Sequence, residues 1–108
     1  MAVKDILEND IPTRLKAKPE LAKDLNVVIH FSISGDGGGE WTLDCTKSDG
    51  WVTSGKQGES KMTVICAAAD FEKIAAKQMN AQMAAMQGKL KFKPLDMGLA
   101  MKLGKLLG

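Results

Sequence analysis

The chain has 108 residues, 44% of them hydrophobic, and a formal net charge of +2. A chain of that size buries roughly 60–70% of its unfolded surface around one core, which excludes two independent domains and predicts that residues 1–108 form a single unit. The near-neutral balance excludes a general polyanion binder. The charge is nevertheless uneven: from Lys89 onward five lysines face one acid, Asp96, an excess suited either to phosphate-bearing partners and anionic lipid or to a simply solvated face.

The first 26 residues carry a helical but interrupted pattern. Pro12 and Pro19 each suit the first turn of a helix and not its middle, which predicts a short lead-in bearing Val3, Ile6 and Leu7, a helix from Pro12 to Lys18, and a last turn from Pro19 to Leu25. The period then changes to two. Val27, Ile29, Phe31 and Ile33 alternate with Val28, His30 and Ser32 as a first strand. After the glycine-rich turn Gly35–Gly39, Trp41, Leu43 and Cys45 alternate as a second. Trp51 to Ser54 is a short third strand, and Met62, Val64 and Cys66 mark a fourth. Phe71, Ile74, Ala75 and Met79 then share one helical face. Asn80 is placed to cap a second short helix that carries Met79, Met83 and Met86 and stops at Gly88.

Lys89 to Lys93 alternates again, with Leu90 and Phe92 apolar, as a fifth strand. From Met97 the chain becomes helical and unusually oily. At about 100° per residue, Met97, Leu99, Ala100, Met101, Leu103, Leu106 and Leu107 cover roughly 220° of the circumference and leave Lys102 and Lys105 a narrow wet strip. A helix lying on a sheet needs about half that arc. The surplus predicts a second apolar neighbour: a subunit partner, a membrane surface or a bound lipid.

Groups that move protons or attack carbon are scarce. His30 is the only histidine and lies on the polar side of its strand, with no positioned serine and acid in any motif. Gly50 to Lys56 matches most of a phosphate-binding loop, but Gln57 stands where the magnesium-holding Ser or Thr belongs and no helix pattern follows. Gly35-Asp36-Gly37 joins two strands, so it is no dinucleotide fingerprint. The acids are scattered, without metal-ligand spacing. Cys45 and Cys66 fall in apolar alternation, as buried thiols would. With no tyrosine and with Phe and Trp at apolar positions, nucleic acid is not expected as a partner. No apolar run approaches the ~20 residues of a bilayer span, and the start lacks the apolar core of a signal peptide, which together predict a soluble, cytoplasmic protein.

Seven methionines are present, five of them at positions 79, 83, 86, 97 and 101. An unbranched thioether adapts to guests of different shape, and equally fills gaps in an ordinary core. A resemblance bears on the choice. Gln87-Gly88-Lys89-Leu90-Lys91-Phe92-Lys93, followed by Met97-Gly98-Leu99-Ala100-Met101-Lys102-Leu103, resembles the closing motif of the sterol carrier protein type 2 family. Gly39-Glu40-Trp41-Thr42-Leu43-Asp44 is similar to its second-strand motif, and Asp70-Phe71 to its helix after the fourth strand. The order of elements agrees from about Pro12 onward.

The resemblance implies an α+β fold: a five-stranded, mostly antiparallel sheet covered on one face by helices, enclosing an apolar cavity. It also implies non-catalytic binding and carriage of fatty acids, acyl-coenzyme A esters or sterol-like lipids, with no metal and no cofactor. By the same carry-over Leu99, Met101 and Leu103 would form a lid or wall, Phe71, Ile74, Met79, Met83 and Met86 the opposite side, and Trp41 and Leu43 the sheet floor. Gln87 would offer its amide to a carboxyl or hydroxyl head. Three departures stand out. Pro94-Leu95-Asp96 makes the step after the fifth strand one residue longer, Ala67 replaces the usual Ser or Thr helix cap, and Leu106-Leu107-Gly108 is not a peroxisomal address. The expectation is a monomeric lipid carrier with transient membrane contact. Its alternative is an interaction module, or an accessory domain presenting acyl substrates to a partner enzyme.

Overall fold

A computed structural model describes residues 2–93 and 96–107. Five strands, β1 (Val28–Ser34), β2 (Gly39–Asp44), β3 (Val52–Ser54), β4 (Met62–Ala67) and β5 (Leu90–Lys93), form one sheet in the order β3-β2-β1-β4-β5. Every pairing is antiparallel except β1 with β4. The strands alternate as their sequences require. Ile29, Phe31 and Ile33 of β1 lie in register with Leu43 and Trp41 of β2 and with Met62, Val64 and Cys66 of β4, so one face of the sheet is continuous hydrocarbon. All of these are buried. The β1–β2 turn closes tightly at Gly38, where a Cβ would stand 2.2 Å from the carbonyl oxygen of Ile33, so only glycine fits.

Among the described residues six α-helical segments, α1 (Val3–Asp5), α2 (Ile11–Ala17), α3 (Pro19–Leu25), α4 (Ala68–Ala75), α5 (Ala81–Met86) and α6 (Met97–Leu107), supply the other side of the core. Phe71 of α4 meets Phe31 of β1 edge to face, the ring centroids 6.0 Å apart at 87°, an arrangement that sets a ring's positive edge against a negative face. Helix α6 packs beside α3 and reaches α2 and α5. Arg14 of α2 ties its end down, Nη1 donating to the carbonyls of Leu106 and Leu107 at 2.7 Å each, where a helix leaves its last carbonyls without backbone partners.

The N-terminus departs from the expectation of an interrupted segment. A π-helical turn, Ile6–Asp10, joins α1 directly to α2, and Pro12 sits inside the first turn of α2 without a break. Proline lacks the N–H of a regular turn and crowds the carbonyl four residues earlier; the wider π spacing just before it gives that crowding room. The chain does break at Lys18, and Pro19 opens α3. Asn26 ends that helix in the left-handed region at φ 46°.

The outer face of the sheet also differs from a simply polar surface. His30 and Thr42, paired across β1 and β2, are both buried. The segment after β3 folds over them. Thr42 Oγ1 donates to Gly55 O at 2.7 Å and accepts from Gln57 N at 2.8 Å, and His30 Nε2 lies 3.2 Å from Gln57 O. Part of the sequence stretch that mimics a phosphate loop is therefore strand β3, and the rest is a cover on the sheet.

Candidate functional site

One helix meets the rest of the molecule with two different apolar stripes. Leu99, Leu103, Leu106 and Leu107 are buried against the body of the protein. Met97, Ala100, Met101 and Gly104 lie on the adjoining arc and face a cavity of about 990 Å³, near the upper end of the range for small-molecule sites. The cavity's other wall is Met79, Ala81, Ala85 and Met86, the sheet contributes Phe92, and Ile74 reaches it from α4. Polar groups gather at the rim: Lys77, Asn80, Gln82 and Lys105.

The local sequence explains the room. Ala81 and Ala85 on α5, and Ala100 and Gly104 on α6, are each four residues apart and share a helical face. Small side chains facing each other hold the helices near one another without filling the space between. A Cβ at Gly104 would come no nearer than 4.0 Å to Ala81 Cβ. Both helices are fixed at their starts. Asn80 Oδ1 accepts from the amides of Gln82 and Met83 at 2.8 and 3.2 Å, as the sequence led one to expect. Asp96 Oδ1 accepts from the amide of Leu99 at 3.0 Å, a second cap of the same kind. Ala67, by contrast, gives α4 no side-chain cap, in line with its chemistry. Gly88, at φ 76°, turns the chain out of α5, again as expected.

Of the residues singled out from the sequence, Ile74, Met79, Met86 and Met101 come together around this cavity. The others lie elsewhere. Leu43, Phe71 and Leu103 are fully buried in the common core, Leu43 on the sheet, Phe71 against Phe31 of β1, and Leu103 on the side of α6 that packs against the other helices. Leu99 belongs to the same inner stripe. Trp41 is drawn toward the N-terminal helix, its Nε1 donating to Glu8 Oε2 at 2.9 Å, which places the indole away from the cavity lining. Met83 is 53% exposed on a flank of α5. Gln87 is exposed beyond the helix end, outside the lining; the amides at the rim are Asn80 and Gln82 instead. The lengthened step at Pro94 and Leu95 lies outside the described residues.

Ala81, Ala85 and Gly104, which also line the cavity, carry a signal in the sequence only as small residues repeating at four on two neighbouring helices. Phe92, Met97, Ala100 and the rim lysines are likewise additions to the expected lining. The two thiols lie outside the cavity lining, free and buried. Burial, with the charge of Asp44 adding to it, pushes Cys45 up to about 12; burial, with Asp70, raises Cys66 to about 11. Among the described residues no group of His, Cys, Asp and Glu has the arrangement of a metal site, and no helix is long and apolar enough to cross a membrane.

This geometry, an α+β sheet roofed by helices with an oily cleft at one end, is a fold with known relatives. Residues 8–108 match the SCP-2 sterol transfer family, and the chain belongs to that family. Hydroxysteroid dehydrogenase-like protein 2 of Xenopus laevis is 41% identical over 91 residues, covering 82% of this chain. The chain spans 21% of that relative's length. Non-specific lipid-transfer protein-like 1 of Caenorhabditis elegans is 30% identical over 105 residues, covering 95% of this chain and 88% of its own. Among solved structures, palmitated SCP2L2 from Aedes aegypti matches with a TM-score of 0.79 and 27% identity, covering 99% of this chain and 95% of that one.

Proposed function

We propose that residues 1–108 act as one lipid-binding unit that holds the hydrocarbon tail of a fatty acid, acyl ester or sterol-like molecule in the cavity between α5 and α6, without catalysis. The observation that carries this reading is the cavity itself, about 990 Å³ with Ile74, Met79, Met86, Phe92, Met97 and Met101 around it. Burying a ~16-carbon chain at about 0.8 kcal/mol per methylene yields roughly 12 kcal/mol before the cost of ordering tail and protein. Micromolar or tighter binding needs only part of that. Selectivity among tails would be weak, since one methylene changes affinity by only ~1–3 kcal/mol in an apolar pocket. The thioether-rich wall fits guests of several shapes. The palmitate named for the Aedes aegypti protein is a ligand of the right kind.

Titration with a fluorescent fatty acid tests the proposal. Saturable binding near one per chain, reversed by unlabelled palmitate, is the expected result; no saturable binding contradicts it. A second reading draws on the relatives, because this chain matches only about a fifth of the dehydrogenase-like proteins. There a lipid-holding domain would present a tail to a catalytic neighbour. The two readings share the cavity and differ in what surrounds it: a tail that exchanges onto vesicles without a partner favours free carriage, whereas release only to an added enzyme favours presentation.

A further inference from the structure

Behind Lys77 and Lys105 lies a second recess of about 260 Å³, and these two lysines line both it and the large cavity. Its other walls are Arg14, Ala17, Lys18 and Leu21. Four of its six lining residues are cations and none is an acid. Among the described residues the ion pairs are Lys56 with Glu40 and Lys102 with Asp24, so none of the four is matched there by a carboxylate. Arg14 is held by its Nη1 bonds to Leu106 and Leu107. Those bonds also cover carbonyls that would otherwise present negative charge to the recess. Lys77 stands at φ 63°, a left-handed backbone that costs a lysine energy and sets its side chain at the junction of the two spaces.

We infer that this recess takes the phosphate head of an amphiphile whose tail occupies the large cavity, the head passing between Lys77 and Lys105. The inference deepens the proposed function and rests on it. A carboxylate head carries one negative charge, whereas a phosphate monoester carries up to two at neutral pH. Four converging cations match the second better, and guanidinium and ammonium groups both donate strongly to phosphate oxygens. The C-terminal excess of lysine is thereby given a place in the fold: Lys105 supplies the recess from the α6 side, beside the Arg14 and Lys18 of the N-terminal helices.

Competition against a bound fluorescent fatty acid provides the test, with dodecyl phosphate, dodecanol and inorganic phosphate as probes, on the native chain and on the double variant Lys18→Gln/Lys105→Gln. Dodecyl phosphate is expected to compete at least roughly tenfold better than dodecanol, an advantage that shrinks in about 0.5 M salt as the charges are screened. The double variant should lose most of that advantage; Lys18→Gln alone, outside the lining of the large cavity, should lose part of it while dodecanol competes as before and the unfolding midpoint stays put, Lys18 being exposed. Lys77→Asn, which keeps a residue tolerant of the left-handed backbone, should act in the same direction. Equal competition by dodecyl phosphate and dodecanol, or equal weakening of both in the variants, overturns the inference. So does displacement by inorganic phosphate as effective as by dodecyl phosphate, since the head would then bind without its tail. Absence of fatty-acid binding from the start refutes the lipid reading beneath it.

Discussion

The two apolar stripes of α6 are built from the same kind of sequence and do different work. The inner stripe, Leu99, Leu103, Leu106 and Leu107, is almost wholly out of water, whereas on the outer stripe Met97 is 55% and Met101 66% exposed. The residue types follow the difference. Leucine, with few rotamers, suits a site where every neighbour is fixed; methionine and the small Ala100 and Gly104 suit a wall with nothing permanent opposite. Apolar surface left open on one side of a helix and closed on the other is what the proposed guest requires, and the helix is anchored on its closed side, where Arg14 holds its end.

The largest effect should come from the inner stripe. Leu103→Ala deletes a fully buried side chain and should lower unfolding free energy by about 2–5 kcal/mol, measured by denaturant titration. Met101→Asp places a charge on the outer stripe instead; stability should change by less than about 1 kcal/mol while fatty-acid affinity falls at least roughly tenfold, because the charge must be desolvated by the tail. Comparable stability losses in the two variants would erase the distinction between the stripes. Gly104→Ala should raise stability by about 0.5–1 kcal/mol through helix propensity, with little change in affinity. Gly104→Leu should keep the stability and weaken long tails more than short ones, read by competition across a chain-length series.

A smaller effect separates the core from both stripes by pH. Cys45 and Cys66 have folded pKa values above the ordinary value of 9.0. Above pH 9 the unfolded chain therefore gives up thiol protons that the native chain keeps, so the native state binds more protons and stability falls as pH rises from about 9 toward 11–12. Below pH 9 this contribution is flat. Denaturant midpoints across that range check the sign, and replacement of both thiols by alanine should flatten the alkaline slope. A thiol reagent at pH 8 should find neither cysteine in the native protein and both in denaturant.

Much of the fold was legible because its signals are local. Alternation placed the strands, Asn80 and Gly88 bracketed α5, and the wide apolar arc of α6 gave the reason to propose a second neighbour for it. The misses share another cause. Pro12 reads as an interruption until the π turn ahead of it is seen to make room for the ring, and His30 reads as either a surface or a structural residue until the segment around Gln57, folded across it, decides for the second. The helical period tells which residues of α6 are apolar, but only the crossing of α6 over α3 decides which of them is inner, so Leu103 and Met101 look alike in sequence and differ completely in burial. Trp41 is similar: its alternation gives the correct sheet face, while its tie to Glu8 gives the end of that face.

The most direct test of the account uses the methionines as reporters. With carbon-13 in every methionine methyl group, titration with palmitate should shift and broaden the signals of Met79, Met86, Met97 and Met101, with contacts from those methyls to the palmitate methylenes, while Met62, sealed in the core, stays still. Shifts confined to Met62 and its surroundings, or palmitate contacts that avoid the four cavity methionines, would show that the tail lies elsewhere and would contradict the central claim.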